Sequence, residues 1–112
     1  MSSSFDQREP DNSERVLHQA IYDALERMRD RVNTEIGQYP SPIPACDAQF
    51  NHLLEQRSRI ARELAQLREA DREKWSLPQY TAYFDELVSS SDLIEQESEL
   101  RIRAYFNQMD VG

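Results

Sequence analysis

The side chains able to do covalent or acid–base chemistry are few in this chain: one cysteine, Cys46, two histidines, His18 and His52, and a surplus of carboxylates. Nucleophilic catalysis needs a thiol or hydroxyl beside a base. Cys46 and His52 stand six positions apart, on different faces of any helix that holds both, so no dyad forms within one helix. Cys46 follows a proline-rich stretch near a helix start, where backbone N–H groups lower a thiol's pKa, and the neighbouring Asp47 opposes that effect. A small buried thiol is the plainer reading of Cys46; a thiol or metal sensor is the sharper one.

His18 lies one turn after Glu14, a spacing that can hold a metal, but one pair is no site, and an ordinary histidine with an acidic neighbour accounts for it. The run His52-Leu53-Leu54-Glu55 reverses the Glu-x-x-His order of bundle di-metal centres and occurs once where such centres need it twice. No carboxylate pair sits in an apolar stretch that would raise a pKa and mark a general acid. The two glycines, Gly37 and Gly112, exclude a Gly-rich phosphate loop. The expectation is a protein that is not an enzyme and uses no metal or cofactor, leaving binding through surfaces.

The elements that would present such surfaces are helical. Residues 1–10 are polar, aperiodic and end in Pro10, which reads as a mobile arm. Asp11 and Glu14 resemble a capping box, and Leu17, Ile21, Leu25, Met28, Val32 and Ile36 recur at helical spacing, predicting a helix over about 11–36 that stops at Gly37. After the proline-stiffened turn Gly37–Pro44, a second helix is expected over 45–75. Its positions 50, 53, 57, 60, 64, 67, 71 and 74 follow a coiled-coil heptad, with Leu54, Ala61 and Trp75 widening the seam. Arg57 and Asp71 fall inside that seam, where polar residues commonly set register and partner number, so a homodimer is expected. Ser76 and Gln79 form a further capping box before a third helix over 78–89. Asp92 and Glu95 are spaced to start a fourth over 92–109, unless the two make one kinked helix. The fold class expected is therefore all-α: an antiparallel helical hairpin with one or two further C-terminal helices packed as a small, self-associating bundle.

Composition narrows the partners. A chain of 112 residues, 38% hydrophobic and 30% charged, makes one small domain over 11–112. Its net charge of -8 repels phosphate, which disfavours direct nucleic-acid binding. A lone cysteine cannot form an internal disulfide, no run approaches a membrane span, and residues 1–10 lack signal-peptide regions, all of which suit a cytoplasmic protein that does not contact membranes. Arginine supplies all the cations except Lys74, a weak compositional hint of a bacterial source.

The acidity is uneven: residues 79–100 hold Asp85, Glu86, Asp92, Glu95, Glu97 and Glu99 and no base, a pattern that a solvated outer face also explains, and Glu97–Arg101 and Glu99–Arg103 at i,i+4 partly neutralise its distal end. Tyr80, Tyr83 and Phe84, then Tyr105 and Phe106, gather in the same third of the chain, where core packing explains most of them and a leftover strip would face a partner. The function expected is a small acidic interaction module, an adaptor, regulator or chaperone-like protein. It would hold a protein partner through Tyr80, Tyr83, Phe84, Asp85, Glu86, Glu95, Glu97 and Glu99. Two alternatives come from other classes: an acidic mimic of nucleic acid that inhibits a basic protein, and a sensor built on Cys46.

Overall fold

Four helices in the order α1 (Ser3–Gly37), α2 (Ala48–Glu73), α3 (Leu77–Ser90) and α4 (Gln96–Val111) make up a computed structural model of the chain. It describes the backbone of residues 3–41 and 47–111 and the side chains of residues 13–41 and 47–109. No strand occurs among the described residues. The Cys46 reading and the prolines at 42 and 44 lie outside them.

α1 begins at Ser3, ahead of the start expected at Asp11, and passes through Pro10 without ending. A proline inside a helix forfeits one backbone bond and crowds the preceding turn, a cost met here by Gln7, Arg8 and Glu9 before it, which are good helix formers. Leu17, Ile21, Ala24, Leu25, Met28 and Val32 are buried, so one continuous stripe of α1 forms the centre of the core. Gly37 has no left-handed backbone. The helix stops instead through Tyr39 N–H donating to the Ile36 carbonyl at 3.2 Å, followed by Pro40.

α2 starts at Ala48 because Asp47 caps it, its carboxylate accepting from the Phe50 amide at 2.9 Å and from the Tyr39 hydroxyl at 2.7 Å. These two bonds hold the Asp47 carboxyl below its usual range, and the one from Tyr39 raises that phenol. α2 ends in a Schellman turn: Lys74 adopts a left-handed φ of 57° and its amide donates to the Asp71 carbonyl, while the Trp75 amide reaches the Ala70 carbonyl.

Ser76 and Gln79 close a reciprocal capping box on α3, with Pro78 in its first turn. α3 and α4 are separate helices joined by an extended link, and α4 starts at Gln96, not at Asp92. The reason is Leu93, which is 1% exposed: a helix begun at Asp92 would have carried it elsewhere, whereas the extended link drops it into the core. Ser91 Oγ accepts from the Leu93 amide and steadies the link.

Pairings across the helices give the topology. Arg31 of α1 bonds Glu95 at the head of α4, and His18, early in α1, meets Tyr80 at the head of α3. Arg103 of α4 reaches Asp85 of α3. The four helices therefore alternate up and down, with α1 packed against all three of the others and these three meeting one another only slightly. Ala20, Ala24 and Ser98 are small residues where α1 faces α4 and line a narrow hollow of about 120 Å³ between them, Ala24 and Ser98 being buried. Phe84 and Phe106 pack edge to face at 5.5 Å where α3 meets α4.

Candidate interaction surfaces

The aromatic residues expected to greet a partner are mostly committed inside. Tyr80 is 3% exposed and Phe84 0%, and Phe106 is also buried. Tyr83 is half-buried, with its hydroxyl donating to Glu63 of α2 at 2.7 Å and its ring edge against Trp75. Burial pushes the Tyr80 phenol up to about 12 and raises Tyr83 further, the bond to Glu63 adding to the latter. Of the expected contact residues, Tyr80 and Phe84 are thus core, because a bundle with a short third helix needs large side chains to reach α1.

The acidic residues do stand outside, but half of them are answered by arginines from elsewhere. Arg103 bridges Asp85 at 3.1 Å and Glu99 at 3.0 Å while its guanidinium lies over the Phe84 ring at 5.4 Å. Glu95 pairs with Arg31 at 3.0 Å, and Asp92 accepts weakly from Gln56. Glu86 and Glu97 make no ion pair among the described residues and are exposed. What looked in the sequence like a single acidic field is therefore broken up, since Arg31 and Arg103 come from outside the segment that holds it.

Arg57 and Asp71 are both exposed on α2. The inward positions of that helix are Leu53, Ile60, Leu64, Leu67 and Ala70. A straight helix of 3.6 residues per turn drifts from a 3.5 repeat, so by the last turn Ala70 has replaced Asp71 on the inner face, and Ala61 faces outward. No intramolecular polar seam exists at these two positions.

The most developed hollow runs beside α2. Its largest part, about 770 Å³, is open to solvent and lies between the first half of α2 and the α3–α4 link, with Leu54 and Leu93 as apolar floor and Arg59, Arg62, Glu55 and Asp92 at the edges. A second hollow of about 320 Å³ adjoins it at His52, Gln56 and Asp92 and crosses the hairpin toward Met28, Val32 and Leu53. A third, of about 280 Å³, shares Arg59 and Ser90 and continues between α2 and α3 to Gln66, Tyr83 and Glu86. Together they form one trough alongside residues 49–66 of α2, about 25 Å at 1.5 Å per residue. Arg59, whose guanidinium donates to Ser90 Oγ at 3.3 Å, crosses its middle. Sequence reading missed this trough, because it arises from α2 and α3 meeting only through a few long polar side chains, and only Leu54, on the flank of the seam, hinted at it.

His18 forms a different feature. Its Nδ1 shares a hydrogen bond with the Tyr80 hydroxyl at 3.0 Å, and its ring stacks on Tyr22 and meets Tyr80 edge to face. Burial lowers its pKa, Asp71 opposing and Arg15 adding to that effect. No group of three or more metal-ligating side chains occurs among the described residues, and no described helix is long and apolar enough to cross a membrane. No protein-family model, curated protein or solved structure matches the chain.

Proposed function

We propose that the protein is a non-enzymatic interaction module that receives a segment of a partner protein in the trough along α2. The observation that carries this reading is the succession of three open hollows that share lining residues along α2, with Leu54 and Leu93 among the apolar residues and charges of both signs lining them. Such a channel suits a helix or an extended strip of another chain better than a small substrate, which is normally enclosed on most sides. Glu55, Glu86 and Asp92 on the edges keep the acidic rim as part of the reading, while Tyr80 and Phe84 leave it. The expected homodimer remains one form of the same proposal, with Arg57 and Asp71 as exposed positions on α2.

The test is capture of a partner from native extract by the tagged protein and by two variants. Ser58→Arg places a long cation in the trough at an exposed position, and Glu86→Gln with Glu97→Gln removes the two free carboxylates. Retention by the wild type and loss with Ser58→Arg, at unchanged helicity, supports the trough. Retention unaffected by Ser58→Arg but abolished by the glutamine pair or by salt moves the site to the acidic side. The mass of the purified protein in solution decides the homodimer.

A further inference from the structure

At the pole where α1 starts its buried stretch and α2 turns into α3, a separate recess of about 310 Å³ is lined by His18, Trp75, Tyr80, Glu14, Asp71, Arg15 and Lys74. Three aromatic rings wall it. Trp75 meets Tyr80 edge to face at 5.4 Å, Tyr80 meets His18 at 5.8 Å, and burial favours the uncharged form of the His18 ring. The indole N–H is turned to Glu73 at 3.2 Å. Neither Glu14 nor Asp71 makes a hydrogen bond through its carboxylate or an ion pair among the described residues, although Arg15 and Lys74 line the same recess. The cations at the rim balance the two carboxylates in sum without engaging them.

We propose that this recess binds an alkylguanidinium group, its plane against the partly exposed Trp75 ring and its N–H fork toward Asp71 and Glu14. Aromatic faces attract cations, and guanidinium, planar and weakly hydrated, both stacks on rings and bonds a carboxylate through two N–H groups. The negative charge of the whole chain favours approach of a cation. The proposal is independent of the trough, which lies farther along α2.

Trp75 is the chain's one tryptophan and stands in the wall, so its emission reports occupancy. The intact protein is titrated with ethylguanidinium chloride, with ethylammonium chloride and with sodium chloride at matched ionic strength. The expected result is a saturable change with ethylguanidinium at low millimolar concentration and only a shallow, linear change with the other two. The Glu14→Gln/Asp71→Asn pair, both at the surface, weakens the response by about tenfold or more. Lys74→Gln, which removes a rival cation, preserves or strengthens it. Ligand-observed NMR on the same samples gives a readout that does not depend on the indole. An acetylated, amidated tripeptide with central arginine separates the sources: if it binds like ethylguanidinium the natural group is a side chain of a polypeptide, and if only the small cation binds it is a free metabolite. Absence of saturation in the wild type, an equal response to ethylammonium, or an undiminished response in the folded double variant overturns the proposal.

Discussion

Two residues carry backbone costs that substitution should recover. Lys74 holds a left-handed conformation that costs an L residue about 1 kcal/mol or more and glycine almost nothing. Lys74→Gly is therefore expected to stabilise the fold by about 1 kcal/mol in urea unfolding. Gly37 is the reverse case: it ends α1 without a positive φ, and a Cβ there meets nothing within 4 Å. Gly37→Ala should add about 0.5–1 kcal/mol by helix propensity. His18 sets a pH dependence. Its folded pKa lies below its ordinary 6.5, so the unfolded chain binds the proton more readily. Its contribution is complete above that unfolded value and is lost as pH falls through it. Asp71 and Glu14, which face the ring together with Arg15, Tyr22 and Tyr80, soften the loss without reversing it. Melting measured between about pH 7.5 and pH 5.5 should fall for the wild type and stay flatter for His18→Asn.

At the scale of elements, the joints matter more than the rods. Ser76→Ala removes a reciprocal cap and should cost about 1 kcal/mol. Leu93→Ala, which empties the plug of the α3–α4 link, should cost about 2–5 kcal/mol. Both are checked by chemical denaturation. The two differ in legibility for a physical reason. Ser76 and Gln79 announce themselves because capping is local, and the α1 stripe from Leu17 to Val32 does so because burial follows helical period. Leu93 does not: whether Asp92 starts a helix depends on where the core needs a leucine, and no local spacing encodes that. That core packing takes most of the aromatics was readable from their helical spacing; that Tyr80 and Phe84 are among those taken was not, since the spacing is the same whether the stripe faces a partner or α1. Asp47 caps α2 through an equally local bond to the Phe50 amide and was passed over as a cap; what needed the fold is its second bond, from Tyr39, eight residues earlier and across the turn. Of the candidate surfaces, the acidic residues were readable as a list, and so was the Glu99–Arg103 pair, which is one helical turn long, but the neutralisation of Glu95 by Arg31 and of Asp85 by Arg103 was not, because it needs the helices to be placed first.

At the scale of the molecule, α1 is the hub. The others lean on it and barely on one another, which leaves the channel beside α2 open and lets three polar bridges, Gln56–Asp92, Arg59–Ser90 and Glu63–Tyr83, span from α2 to α3 and the link. The ion pairs at the surface are exposed and contribute little each, so added salt should shift melting only slightly even though it weakens any docking of charged partners. The alternation of directions has a consequence in time. Because each helix doubles back across a short connection, many native contacts join stretches that are near in the chain, and a diffusing coil finds such contacts early. Refolding followed by stopped-flow fluorescence of Trp75 should therefore finish within about milliseconds in a single phase, as low-contact-order helical bundles do. Slower phases would report the isomerisation of prolines at the turns, on a scale of about 10–100 s. A chain that closes this fast spends little of its life with its apolar stripes uncovered, so fresh copies are shaped before other unfolded chains can reach those stripes.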